Sequence, residues 1–209
     1  MTVSMLKILK GVFLGALLVG SASVCLGADN RANREDKKAY AAWEAIGMTM
    51  TPVSGLRAGY FINPDVAAEI SYGSSKTTIG DFESKKSIIE GKAKYFFGDT
   101  FYTDGGITYE NFDVKYSVYK SGQTIERENL NGSVSNVGLN AHIGNQWQWP
   151  GFTLGCDWIG YFASLSSSSK FSSSANLDSG DQKKQENGIK TAMGGSSLHL
   201  ARLYMGWSF

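Results

Sequence analysis

From about residue 41 to the end, apolar and polar side chains alternate with period two, interrupted at intervals by Gly, Pro, Asn and Asp. A strand sends successive side chains to opposite faces, so this pattern predicts strands with one apolar and one polar face. The clearest runs from Asn136 to Trp149: Val137, Leu139, Ala141, Ile143, Asn145, Trp147 and Trp149 share one parity. Asn136, Gly138, Asn140, His142, Gly144, Gln146 and Gln148 share the other. The next strand places Phe152, Leu154, Cys156, Trp158 and Phe162 against Thr153, Gly155, Asp157 and Tyr161. In the last, Leu203, Met205, Trp207 and Phe209 oppose Arg202, Tyr204, Gly206 and Ser208. Shorter runs around 56–62, 66–72, 89–97 and 101–110 behave alike. A less regular first strand, about Trp43 to Thr51, leaves the facing of Glu44 open. No helical periodicity of useful length is found, so an all-β chain is expected.

The connections sharpen this. Short ones fall at Asn63-Pro64-Asp65, Gly98-Asp99-Thr100 and Trp149-Pro150-Gly151, and long ones at about 74–87, 112–133 and 165–196. After a tight first loop at Pro52 to Ser54 they alternate, which puts short turns at one end and long loops at the other. All 3 prolines fall in turns, where a missing backbone donor does no harm. The expected fold is a closed antiparallel β-barrel of eight strands in up-and-down order.

Alternation alone does not say which face meets what, and three features decide it. The chain ends in Trp207-Ser208-Phe209 with apolar residues at every second position back to Leu203. Phe97, Phe101, Trp147, Trp149, Phe152, Trp207 and Phe209 gather at the short-turn end, with Tyr72, Tyr109 and Phe162 near the other. Such girdles mark membrane–water boundaries. Short turns opposite long loops are the periplasmic and extracellular sides of a transmembrane barrel. The apolar parity therefore faces lipid, and closure removes edges that hydrocarbon could not satisfy.

The N-terminus agrees. Lys7 and Lys10 precede the apolar run Gly11 to Gly20, then small residues, which is the order of a secretory signal peptide. Cleavage is expected near Gly27, with a rival site after Ser23; a lipoprotein reading would acylate Cys25. The expected divisions are a signal peptide at 1–27, a charged periplasmic segment at 28–40 and the barrel at 41–209. Cys156 would then be the sole cysteine, so no internal disulfide is expected. A net charge of +1 gives no reason to expect nucleic acid.

This pattern, with the C-terminal Trp207-Ser208-Phe209, resembles the eight-stranded outer-membrane barrel families of the OmpA transmembrane domain and OmpX. The resemblance covers roughly residues 41–209 and rests on no internal motif; no peptidoglycan-binding domain is expected after the barrel. It implies residence in the outer membrane of a Gram-negative envelope, among outer-membrane lipid and lipopolysaccharide. It also implies recognition of Leu203, Met205, Trp207 and Phe209 by the outer-membrane assembly machinery.

With lipid outside, the polar parity lines the lumen. Arg57, Lys92, Lys94 and Arg202 then face Glu69, Glu90, Asp104, Glu110 and Asp157, with His142, Asn140, Gln146 and Gln148 among them. Eight strands leave an interior that side chains just fill, so these charges are expected to pair into a plug or a gate. Catalytic chemistry finds little support. Lipid A deacylases place a Ser two residues after their His, and Ala201 stands there after His199. His199 reads as lipid-facing near the outer rim with Ser197 beside it, and His142 as a lumen residue. Two distant histidines and a lipid-facing Cys156 offer no metal cluster, and no cofactor is expected. The reading is a non-enzymatic envelope barrel with a plugged lumen, serving integrity or surface contact through its extracellular loops. The alternative is a porin-like conduit for small or hydrophobic solutes, as in the OmpW type.

Overall fold

The computed structural model describes residues 29–48, 53–120, 126–173, 183, 186–188, 190–191 and 193–209. The expectations for residues 1–27, for Cys25 and for the turn at Pro52 lie outside them. A short helix, α1 (Asn30–Asp36), precedes eight strands: β1 (Ala39–Met48), β2 (Ser54–Asn63), β3 (Val66–Ile79) and β4 (Phe82–Phe96). These are followed by β5 (Phe101–Lys120), β6 (Glu126–Trp149), β7 (Phe152–Ser173) and β8 (Ser197–Ser208). The strands form a closed barrel in sequence order, each antiparallel to the next. The seam is zipped by β8 on β1: Ala39 N donates to Phe209 O at 3.0 Å, and Phe209 N to Ala39 O at 2.9 Å. β1 begins at Ala39, before the strand start expected at about Trp43.

Strands β2 to β6 bury one parity and expose the other. Along β4, Ser84, Lys86, Ile88, Glu90, Lys92, Lys94 and Phe96 are all buried, while Lys85, Ile89, Gly91, Ala93 and Tyr95 are exposed. The exposed set across the barrel is apolar, with Leu56, Ile70, Ile107, Leu139 and Trp207 on its outer wall. A wall that exposes its hydrophobes and buries its charges suits lipid as solvent.

Two expectations about the far end are corrected. The segment 74–87 is a continuous hairpin in which Ile79 pairs with Phe82 across a two-residue turn at Gly80 and Asp81. Gly80 takes a φ of 59°, which glycine adopts freely. Much of 112–133 and of 165–196 is likewise wall, because β5 and β6 pair out to Lys120 and Glu126, and β7 continues to Ser173. Apart from Phe112, Val114, Tyr116 and Val118 on one parity of β5, these stretches are mostly polar on both parities, which reads as loop. Beyond the hydrocarbon neither face needs to be apolar, and pairing still satisfies the backbone.

Strands β7 and β8 depart further. Gly144 of β6 pairs with Asp157 and Ile143 with Ile159, so Trp158 is an extra residue; Gly47 of β1 pairs with Arg202 and Met48 with Leu200, so Ala201 is another, and the two stand opposite each other between β7 and β8. Ala201 has a φ of 48°. A β-bulge shifts the parity of all that follows. Beyond it Phe162 is fully buried in the lumen and Tyr161 is exposed, the reverse of the expectation. His199 likewise turns inward and is buried, not lipid-facing. Trp158 Nε1 donates to Asn145 Oδ1 at 2.8 Å. Cys156, the register partner of Asn145, and nearby Trp147 hold the outward parity yet are buried, so neither faces lipid.

Candidate functional site

The lumen is filled in layers. At the short-turn end, Tyr40, Phe61, Phe96 and Tyr102 form an aromatic floor with successive centroids 5.5, 6.2 and 5.6 Å apart. Room for such rings comes from glycine. Tyr40, Tyr102, His142 and Tyr204 each lie over their register partners Gly59, Gly144, Gly160 and Gly155. An added Cβ would stand 1.9 to 2.8 Å from the ring in each case.

Helix α1 closes the floor from below. Asp29 caps it by accepting from Ala32 N at 2.9 Å. Its buried residues, Asn30 and Arg34, sit one turn apart on one face. Arg34 lies 4.0 Å over the Phe96 ring. It donates to the carbonyls of Pro64 (2.6 Å), Asp99 (2.6 Å) and Gly98 (3.3 Å). Asn30 accepts from Gln148 N at 2.6 Å and donates to Asp99 at 2.6 Å. Burial lowers the Arg34 guanidinium to about 10, against the pull of Asp99 and Asp65, so it stays charged at neutral pH.

Above the floor lies an ionic layer. Arg57 meets Glu44 (2.9 Å), Asp157 (2.9 Å) and Glu69 (3.3 Å), and its guanidinium lies 4.0 Å over the Tyr204 ring. Glu69 also holds Lys92 at 2.8 Å and Lys94 at 2.9 Å, and accepts the Tyr40 hydroxyl. Lys94 donates further to Gln146 (3.0 Å) and Tyr204 (3.1 Å), with the Tyr102 ring at 4.1 Å. Asp157 accepts the Tyr102 hydroxyl. Arg202 bridges Glu44 (2.9 Å) and Glu90 (2.7 Å). Lys92 lies 3.5 Å from Asp104, which holds His142 Nδ1 at 2.7 Å. Nearer the long-hairpin end, Glu110 pairs separately with Lys86 at 2.8 Å.

The ten lumen residues expected from the sequence are thus all buried, and nine of them form one connected network, with Glu110 apart. Sequence reasoning left the facing of Glu44 open and left out Lys86, Tyr40 and Tyr102. Lys86 was hidden in the supposed loop, whereas the partner glycines did signal the rings. Leu203, Met205, Trp207 and Phe209 all stand exposed on the outer wall. The expectation that the two histidines are distant is overturned: their rings stack with centroids 5.9 Å apart and 22° between planes. Ser197 Oγ lies 3.2 Å from His199 Nε2, but among the described residues His199 Nδ1 has no hydrogen-bond partner, so no acid among them orients it as a catalytic triad requires.

No protein-family model and no curated protein matches the chain. Solved structures do. A major outer membrane protein from Thermus thermophilus aligns with a TM-score of 0.53 at 13% identity, over 83% of this chain and 98% of that one. CarO2 of Acinetobacter baumannii aligns with a TM-score of 0.50 at 13% identity, over the same shares. The fold is that of the eight-stranded outer-membrane barrels.

Proposed function

We propose that this chain is a non-enzymatic outer-membrane barrel with a plugged lumen, serving envelope integrity or surface contact. On this reading residues 1–27 direct export, and the short turns with α1 lie in the periplasm. The assembly machinery grips Leu203, Met205, Trp207 and Phe209. The outer wall meets outer-membrane lipid and lipopolysaccharide, and the long hairpins present the surface that a partner would touch. One observation carries the plug: Arg57, Lys92, Lys94 and Arg202 each lie within 4 Å of at least one carboxylate, so the charges across the lumen hold one another rather than a water column. Removing one partner of such a buried pair leaves an uncompensated charge, which keeps the arrangement closed. The floor of rings and α1 beneath it add a second obstruction.

The test is single-channel conductance of refolded protein in a planar bilayer, with heat-modifiable gel mobility as the control for folding. Folded protein is expected to show no stable conductance. Reproducible steps that change on substituting Lys94 or Glu90 would overturn the plug in favour of a conduit.

A further inference from the structure

We propose that Glu90, His142 and His199 form a binding site for a divalent transition-metal ion inside the barrel, of the zinc or cobalt class. One ligand atom from each lies within 4.8 Å of the other two, and all three side chains are buried. The site is independent of whether the lumen conducts.

Its construction is specific. His142 on β6, Gly160 on β7 and His199 on β8 are register neighbours across three strands. Because Gly160 has no side chain, the His142 ring lies across it, and a Cβ there would sit 1.9 Å from His142 Cδ2. The paired extra residues Trp158 and Ala201 are what turn His199 inward, so the bulge creates the juxtaposition.

The ligands are prepared for a metal. Asp104 Oδ1 lies 2.7 Å from His142 Nδ1. A carboxylate there accepts the Nδ1 proton and leaves the Nε2 lone pair to a metal, the arrangement that supports ligating histidines. His199 is buried, and its Nδ1 has no hydrogen-bond partner among the described residues. Two imidazoles and a carboxylate suit zinc and its neighbours rather than calcium or magnesium, which prefer all-oxygen shells.

The place for a cation is marked by one already present. Arg202 Nη1 lies 3.0 Å from Glu90 Oε1 and 3.3 Å from His142 Nε2. Arg202 also holds Glu44 through Nε at 2.9 Å and Nη2 at 3.1 Å, so Nη1 can yield while the side chain stays anchored. Among the described residues, six buried carboxylates line the lumen (Glu44, Glu69, Glu90, Asp104, Glu110, Asp157) against five buried cations (Arg57, Lys86, Lys92, Lys94, Arg202), an excess of one negative charge that draws a cation in. A bound ion would tie β4, β6 and β8 together across the lumen.

The experiment uses refolded, untagged protein stripped with EDTA and titrated with Zn²⁺ by calorimetry, its folding checked by heat-modifiable mobility. One ion per barrel is expected. His199→Gln should weaken binding by about 100-fold or more, and Asp104→Asn by about 10- to 100-fold. The chain holds 2 histidines in all, so X-ray absorption of the zinc-loaded wild type must show two imidazole ligands, a readout that needs no variant. No uptake by folded protein, uptake unchanged in His199→Gln, or fewer than two imidazoles on the zinc would each overturn the site.

Discussion

Strands β3 to β6 and the pair β7–β8 are written in the same alternating code, yet only the first group keeps one parity from end to end. In β6, every second residue from Gly132 to Gln148 is buried. In β7 the buried parity passes from Thr153, Gly155 and Asp157 to Gly160 and Phe162, because Trp158 is inserted between them. Ala201 is inserted opposite it in β8, so the ladder between the two strands stays in phase and both far halves rotate together. An isolated insertion would shift a strand against both of its neighbours. The matched pair keeps the β7–β8 ladder in register and moves the shifts to the outer neighbours, between Ile143 and Gly144 of β6 and between Gly47 and Met48 of β1, and the sector that turns holds Phe162 and His199.

The sharpest way to break the comparison is to truncate the two aromatics that the bulge exchanges. Phe162 is fully buried against Gly138, whereas Tyr161 is 53% exposed on the outer wall. Phe162→Ala should cost about 3–5 kcal/mol, the range for emptying an aromatic site in a packed interior. Tyr161→Ala should cost less than that, since its ring stands on the outer wall and its loss leaves no cavity in the packed interior. Equilibrium unfolding in urea from lipid vesicles reads both. Equal losses, or a larger one at Tyr161, would mean that the strand keeps strict alternation.

That exchange also marks how much the sequence disclosed. The barrel, the short-turn end and the lumen charges followed from period two and from where Pro, Gly, Asn and Asp fall. They were legible because Arg57, Glu69, Glu90, Lys92, Lys94, Asp104, Glu110 and His142 sit where alternation runs unbroken; Asp157 and Arg202 sit just before the bulge on the short-turn side. The inserted residues carry no turn signature, and an aromatic follows on either parity at Tyr161 and Phe162, so neither phase looked wrong. Helix α1 was invisible for another reason. It docks through Asn30 and Arg34 onto turn carbonyls, so it needs no apolar stripe and leaves no helical periodicity. The facing of Glu44 was left open because the first strand alternates least regularly, and Lys86 was missed where strand was taken for loop.

A smaller effect should separate two glycines, one in each region. Gly160→Ala drives a Cβ into the His142 ring, which Asp104 holds, and should cost about 1–3 kcal/mol as an overpacking change. Gly91→Ala on β4 meets nothing within 4 Å and should be neutral or slightly stabilising. The clash can be isolated with a second change. In a His142→Ala background, Gly160→Ala should lose most of its cost, and the two substitutions should be strongly non-additive. Additive losses in the same unfolding assay would show that the ring does not lie over Gly160.

The smallest effect is the most direct probe of the bulge, because it turns on sign rather than size. Ala201 holds a φ of 48°, a left-handed conformation that costs a residue with a Cβ about 1–2 kcal/mol. Ala201→Gly relieves that strain but gives the unfolded chain more freedom to lose, so a net gain of up to about 1 kcal/mol is expected. Ala93 stands on the exposed face of β4 in an unbroken stretch of strand. There the same substitution relieves nothing, and the added chain entropy should cost about 0.5–1 kcal/mol. The chemistry is identical and the signs are opposite, so the pair cancels any general effect of glycine on insertion or refolding. A loss at both positions would place Ala201 in ordinary strand geometry, and with it return His199 to the lipid face.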